Sequence, residues 1–249
     1  MRRPLAVLLL ALLVPSLAQA ASGPVVEAAK RTAGATSLTF RMTVGTSVAG
    51  QRMVMTGSGV QKGANARISF RMRAQGTAFR ADVILLREGG RYVLYLRSPL
   101  VRAQAPPGKS WLRLDLSRQA ATAGVDLGSL FSVSQTFGPL ERGLVSTTRL
   151  GREVVAGRPA TRYRVLVDVR RAARALPAYR EQVAALEQAT GLRLGRVRYD
   201  VWIADDGRMR QVRFTMPVPG GRSVTTLTYL AFDVPVTIAA PPRAQVYTP

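Results

Sequence analysis

The chain contains no cysteine and no histidine, and only three lysines, Lys30, Lys62 and Lys109. Without thiols no disulfide braces the fold and no lipid can be attached at a lipobox, so stability must come from burial. Without imidazole, Ser-His-Asp and Cys-His catalysis are excluded, as are histidine-containing zinc sites. Acidic residues are scarce, 14 in 249, and they are scattered with no calcium-loop spacing. No pair of them stands in an arrangement that suggests acid–base work, so the chain reads as a non-enzyme that needs no cofactor and no metal. Aromatics make up 6% of the residues, too few to supply the stacking platforms of a nucleic-acid binder.

What remains is strongly basic. The net charge is +22, carried almost wholly by arginine. The arginines are spread along alternating segments (Arg67, Arg71, Arg73; Arg162, Arg164; Arg208, Arg210) instead of forming one block. That distribution fits a solvated face with a transient attraction to an anionic membrane or cell-wall surface, and no nucleic-acid partner.

The first residues have the layout of a secretory leader. Met1-Arg2-Arg3 is basic, Leu5 to Val14 is apolar, and Ala18-Gln19-Ala20 offers a small-x-small cleavage site. The apolar run is shorter than the roughly 18 residues a spanning helix requires. Residues 1–20 are therefore expected to be a signal peptide, and 21–249 one exported domain that is periplasmic, envelope-associated or secreted, and monomeric.

Period-two alternation dominates the remainder. In Arg196–Met216, Val197, Tyr199, Val201 and Ile203 share one face, and after Asp206-Gly207 the residues Val212, Phe214 and Met216 do the same. Asp-Gly suits the hairpin between them. Similar runs occur at 37–44, 52–60, 67–73, 91–97, 111–116, 146–155, 161–169 and 223–234; Phe79–Arg87 is apolar on both faces around Val83–Leu86, as in a central strand, and Gly89-Gly90 closes another hairpin. The spacing predicts about eleven strands in an α+β fold dominated by one antiparallel sheet. Helices are expected at three places. Gly23–Ala33 forms the first. Leu127–Leu144 reads as two short helices with a kink or break at Gly138-Pro139. Leu176, Tyr179, Val183 and Leu186 mark an amphipathic helix with Pro177 in its first turn and Gly191 past its end.

The order of these segments resembles the LolA-like superfamily, most closely the LppX/LprG-type lipoproteins. The resemblance rests on Val26–Thr32 leading into Ser37–Phe40, on Thr56-Gly-Ser-Gly59, Arg91–Leu96 and Trp111–Asp115, and on Tyr199–Arg208 and the closing Val236–Pro242. It implies a strongly curved, incomplete β-barrel with helices on its concave face and an apolar cavity that carries acyl-chain-bearing molecules. Lipoproteins, glycolipids and phospholipids are the cargo class. The chain departs from the LppX/LprG pattern at Ala20-Ala21-Ser22, where those proteins have the lipobox cysteine.

With that resemblance, the apolar register Leu38, Phe40, Met42, Val44, Ile68, Phe70 and Met72 becomes the expected ligand wall. Leu130, Phe131, Phe137, Leu140 and Leu144 become the expected cover, either a gate that moves or a capping helix pair. The methionines Met42, Met53, Met55, Met72, Met209 and Met216 suit a wall that adapts to alkyl chains. Two further readings stay open on the residues alone: an envelope sensor or interaction module of the same fold, and a binder of cell-wall polyanions. A closed core filled by the same apolar residues is the structural alternative to a cavity.

Overall fold

Alternating side chains become paired strands wherever a turn lets the chain double back. The computed structural model describes residues 23–74, 77–117 and 133–249; the leader-like segment lies outside them. Helix α1 (Gly23–Ala33) leads into strands β1 (Ser37–Val48), β2 (Gln51–Lys62), β3 (Asn65–Ala74), β4 (Thr77–Glu88) and β5 (Arg91–Arg97). A short helix α2 (Pro99–Gln104) and strand β6 (Trp111–Asp115) complete the first half. Helix α3 (Val133–Gly143) opens the second half, followed by β7 (Leu144–Val155), β8 (Arg158–Asp168), α4 (Val169–Ala175) and α5 (Pro177–Thr190). Strands β9 (Arg196–Ala204), β10 (Met209–Val218) and β11 (Gly221–Phe232) follow, and β12 (Val246–Tyr247) closes the chain.

The strands form one twelve-stranded sheet in the order β12-β6-β5-β4-β3-β2-β1-β11-β10-β9-β8-β7. Two meanders meet where β1 pairs antiparallel with β11, from Leu38 opposite Phe232 to Val48 opposite Gly221. Only β12 pairs parallel, with β6. Strands β7 and β12 are left at opposite edges, so the curved sheet is an unclosed barrel. This is the α+β incomplete barrel that the sequence predicted, with one strand more than expected.

Local chemistry sets the turns. Gly89 and Gly90 both adopt positive φ, 54° and 84°. Such a pair matches the right-handed strand twist and joins β4 to β5 tightly. At Asp205–Arg208 only Gly207 is left-handed (φ 74°), while Asp206 Oδ1 accepts from the Arg208 N–H at 3.0 Å. The β9–β10 register then shifts between Met209 and Gln211, a bulge beside the turn.

Helices α1, α3, α4 and α5 lie on one side, here called the front. Helix α1 buries Val25, Ala28, Ala29 and Thr32. Thr32 ties it to the sheet, because its hydroxyl donates to the Ala28 carbonyl at 2.7 Å and accepts the Met209 N–H at 2.9 Å. Under α1 and α3, and packed against Leu140 of α3, lie Leu38, Val165, Val167, Val201, Met209 and Tyr229, the main core. Helices α4 and α5 add Val169 and Val183, packed on Leu194 and Val197.

Two expectations are corrected here. Helix α3 is one helix through Gly138 and Pro139, where two short helices with a kink or break were expected. Pro139 and Leu140 are buried, and α3 packs against α1 and α4. That packing offsets the lost backbone hydrogen bond, a penalty of about 3 kcal/mol for an interior proline. The strand expected to reach Val169 stops at Asp168, whose carboxylate caps α4 by accepting the Arg171 N–H at 2.8 Å. Helix α5 does begin at Pro177 and ends at left-handed Gly191 (φ 68°), as its sequence requires.

Candidate functional site

Cross-strand register gathers the apolar front of β1–β6 into four rows. The first is Val44, Met55, Met72 and Phe79; the second is Met42, Gly57, Phe70 and Ala81. The third runs Phe40, Gly59, Ile68, Val83, Leu96 and Leu112. The fourth runs Leu38, Gln61, Ala66, Leu85, Leu94 and Leu114. These four rows hold no charged residue, and their only polar side chain is that of Gln61. Such a surface accepts alkyl groups and offers no proton donor or nucleophile of useful strength.

Exposure divides this front from its continuation. Beneath α1 and α3 the same face is sealed: Val165, Val167, Val201 and Met209 are all 0% exposed, whereas Phe214, Met216 and Leu227 beyond them are half-buried. Across β1–β6, Met42, Val44, Met55, Ile68, Phe70, Met72, Phe79, Val83, Leu94 and Leu96 are only half-buried. Leu38 and Leu85 are the buried apolar exceptions, at 3% each.

The floor of the open part is made by two glycines and two rings. A Cβ on Gly59 would lie 2.8 Å from the Phe40 ring and 2.7 Å from the Arg67 carbonyl oxygen. A Cβ on Gly57 would lie 3.1 Å from the Phe70 ring. Each ring therefore lies across a glycine of β2, shielding backbone that has no side chain of its own.

The seven expected wall residues share this front face by register. Leu38 belongs to the sealed core, and Phe40 packs against that core from the side. Met42, Val44, Ile68, Phe70 and Met72 stand in the open rows. Of the expected cover, Leu130 and Phe131 lie outside the described residues. Phe137 is on α3, Leu140 is buried at 4% in the core, and Leu144 packs against that core at the start of β7. Of the methionines, Met209 is fully buried and Met216 packs beside the α4–α5 cluster, whereas Met42, Met55 and Met72 are in the open rows. Sequence reasoning passed over Gly57, Gly59, Phe79, Leu94 and Leu96 as wall residues. The two glycines spaced by two within a strand were the readable signal.

The back of the sheet is chemically different. Behind β4–β6, Ile84, Leu86, Val93, Tyr95 and Trp111 are buried, with Ile238 and Val246 of the C-terminal segment packed against them. Beside this cluster Asp82 accepts from Ser69 at 2.5 Å, from Arg97 at 2.8 Å and from Arg80 at 3.3 Å. Burial pushes the Asp82 carboxyl up, but hydrogen bonds from Ser69 and Arg97 and the charges of Arg80 and Arg97 outweigh it, holding it below the usual carboxylate value. Asp200 behaves alike: burial raises it, and Arg162 (2.6 Å) and Arg164 (3.1 Å) bring it down. On the front, burial alone drives the phenols of Tyr229 and, more weakly, Tyr179 upward; at Tyr199 the nearby Tyr179 adds to it. Among the described residues no three acidic side chains cluster to hold a metal ion.

No protein-family model matches the chain, and no curated protein matches it. Solved structures do. LprF from Mycobacterium bovis shares 14% identity over 90% of this chain and 97% of its own, with a TM-score of 0.55. The lipoprotein LppX from Mycobacterium tuberculosis shares 14% identity over 89% of this chain and 99% of its own, with a TM-score of 0.48. Among the described residues no helix is long and apolar enough to cross a membrane. The segment order read from the sequence and the likeness to LprF agree on the fold: the chain has the fold of LprF, a curved, unclosed sheet with helices on one side.

Proposed function

We propose that this chain is a non-enzymatic carrier or binder of lipids in the cell envelope, holding acyl chains against the front of β1–β6. One observation carries the reading: four uncharged rows of Met, Phe, Leu, Ile and Val stay half-exposed on a face that is sealed by helices a few strands away. Burying an alkyl chain there is worth about 0.8 kcal/mol per methylene, enough for one ordinary chain to give useful affinity. The flexible Met42, Met55 and Met72 adapt to chains of different shape. The LolA-like resemblance supports acyl cargo of this class. The leader-like residues 1–20 support export, and the missing cysteine supports a form without a lipobox anchor.

The test is mass spectrometry of protein purified gently from its native host, together with uptake of a fluorescent acyl probe. Co-purified acyl lipid and saturable uptake are the expected results. Phe70→Arg places a charge in the second row and is expected to abolish uptake while the far-ultraviolet spectrum stays native. A folded Phe70→Arg protein that still takes up the probe overturns the assignment of this face. Absence of both lipid and uptake in the wild type overturns the carrier reading.

A further inference from the structure

The back of the first meander carries an unneutralised arginine surface that the acyl-binding front does not use. Two cross-strand rows cross it. One is Arg41, Ser58, Ser69, Asp82 and Arg97; the other is Thr43, Thr56, Arg71 and Arg80. Asp82 is the one carboxylate in these rows, and it is already engaged by Arg80 and Arg97. Arg41, Arg71 and the nearby Arg102 have no carboxylate partner among the described residues. Five guanidinium groups thus meet one carboxylate.

The surface is shaped as well as charged. A shallow pocket of about 250 Å³ lies among Arg41, Thr56, Ser58, Ser69, Arg71 and Arg80. A larger one of about 610 Å³ follows between β4, β5 and α2, lined by Arg80, Asp82, Arg97, Ser98, Pro99 and Arg102. Arg97 is held ready by Asp82 and by stacking over Trp111 at 4.6 Å. Beside Pro99, on the same short helix, Leu100 is 72% exposed, while its neighbour Val101 is buried and fixes the helix to the sheet.

We propose that the back of β1–β5 together with α2 is a docking surface for an anionic phospholipid membrane. The unpaired arginines meet lipid phosphates, the serine and threonine hydroxyls hydrogen-bond to the headgroups, and Leu100 enters the interfacial layer. The exposed leucine selects the membrane over a soluble anion, because a polyanion in water offers nothing apolar for Leu100 to enter. Arginine-rich faces with an apolar anchor bind anionic bilayers through both terms together.

The test is co-flotation with vesicles of phosphatidylglycerol mixed with phosphatidylcholine, compared with phosphatidylcholine alone and with soluble polyphosphate. Binding is expected to the mixed vesicles and to fall steeply with salt. Removing an arginine near an anionic surface weakens binding about fivefold, so Arg41→Gln/Arg71→Gln/Arg102→Gln is expected to lose on the order of a hundredfold. None of the three supports another described side chain, so the fold is expected to survive, which a thermal melt checks. Leu100→Ser is expected to weaken vesicle binding several-fold and to leave any polyphosphate binding unchanged.

Wild-type protein that ignores the mixed vesicles overturns the proposal, as does a folded triple variant that binds them like wild type. Equal affinity for polyphosphate with no effect of Leu100→Ser also overturns it, in favour of a polyanion. Acyl-probe uptake, read in the same variants, is expected to be unchanged and insensitive to salt. A failure of docking with intact uptake is thereby separated from a failure of the carrier reading.

Discussion

Across β7–β11 much of the front of the sheet is roofed by helices, and the back carries only a small buried cluster of Val155, Ala160 and Trp202. Across β1–β6 the back is roofed in part by α2 and the C-terminal segment, and the front is left half covered. The two halves are otherwise built alike on the back. Each has one carboxylate held by two arginines, Asp82 by Arg80 and Arg97, and Asp200 by Arg162 and Arg164. Each also has one of the chain's two tryptophans under one of those arginines, Arg97 over Trp111 at 4.6 Å and Arg162 over Trp202 at 4.9 Å. Strands with a similar arginine-held carboxylate and tryptophan on the back therefore differ in burial on the front, according to what is laid over them. Covering the front makes a core; leaving it half covered leaves uncharged apolar rows partly exposed.

The sharpest way to break this comparison is to place the same charge on each half. Met209→Asp puts an unpaired carboxylate at a site with no exposure and is expected to cost well over 4 kcal/mol, which prevents folding. Met72→Asp, in the open rows, is expected to fold with a loss of about 1 kcal/mol and to lose acyl-probe uptake. Urea titrations of both variants decide the matter; equal losses would erase the distinction between sealed and open halves.

A smaller effect probes the floor of the open half. In Gly59→Ala the new methyl group meets the Arg67 carbonyl and the Phe40 ring at distances real contacts do not reach, so overpacking is expected to cost about 1–3 kcal/mol. The same change at Gly45, which has nothing within 4 Å of the added Cβ, should be nearly silent. Thermal melts of the pair measure the difference.

The smallest expected effect concerns acid. Asp82 and Asp200 are both depressed in the folded state, so each contributes stability above its unfolded value near 3.9. That contribution is lost as the pH falls through the lower folded value. Stability is therefore expected to decline below about pH 4, and Asp82→Asn or Asp200→Asn should each flatten part of that decline. An unchanged acid limb in both variants would show that the two arginine-held carboxylates do not matter to either half.

Much of the architecture was legible because it is local. Val197, Tyr199 and Val201 announced β9 by alternation, Gly89-Gly90 announced its hairpin, and Pro177 and Gly191 bracketed α5. Helix α2 was also within reach, since Ser98 caps it by accepting the Val101 N–H at 3.2 Å and Pro99 follows at its first turn. Other features were out of reach. Pro139 reads as a break in any sequence, and only the burial of Leu140 against α1 and the sheet keeps α3 whole. The pairing of β6 with β12 depends on two residues far along the chain. The faces of β4 illustrate the limit most plainly. Val83, Ile84, Leu85 and Leu86 read as apolar on both sides, which indicated an inner strand. That Ile84 and Leu86 would be covered by Ile238 and Val246, and Val83 left half-open, is a long-range outcome no local pattern encodes.

The seam between β1 and β11 has a consequence for how the molecule comes into being. It joins the first long strand to the last, so the ribosome must release nearly the entire described chain before Leu38 can find Phe232. Until then each meander is a ribbon with a raw edge, and α1 has no Met209 amide to bind. Partnerships of such sequence separation form slowly and late. The nascent polypeptide therefore has no closed seam until β11 emerges, and folding of the sheet as a whole waits on synthesis of almost all of it.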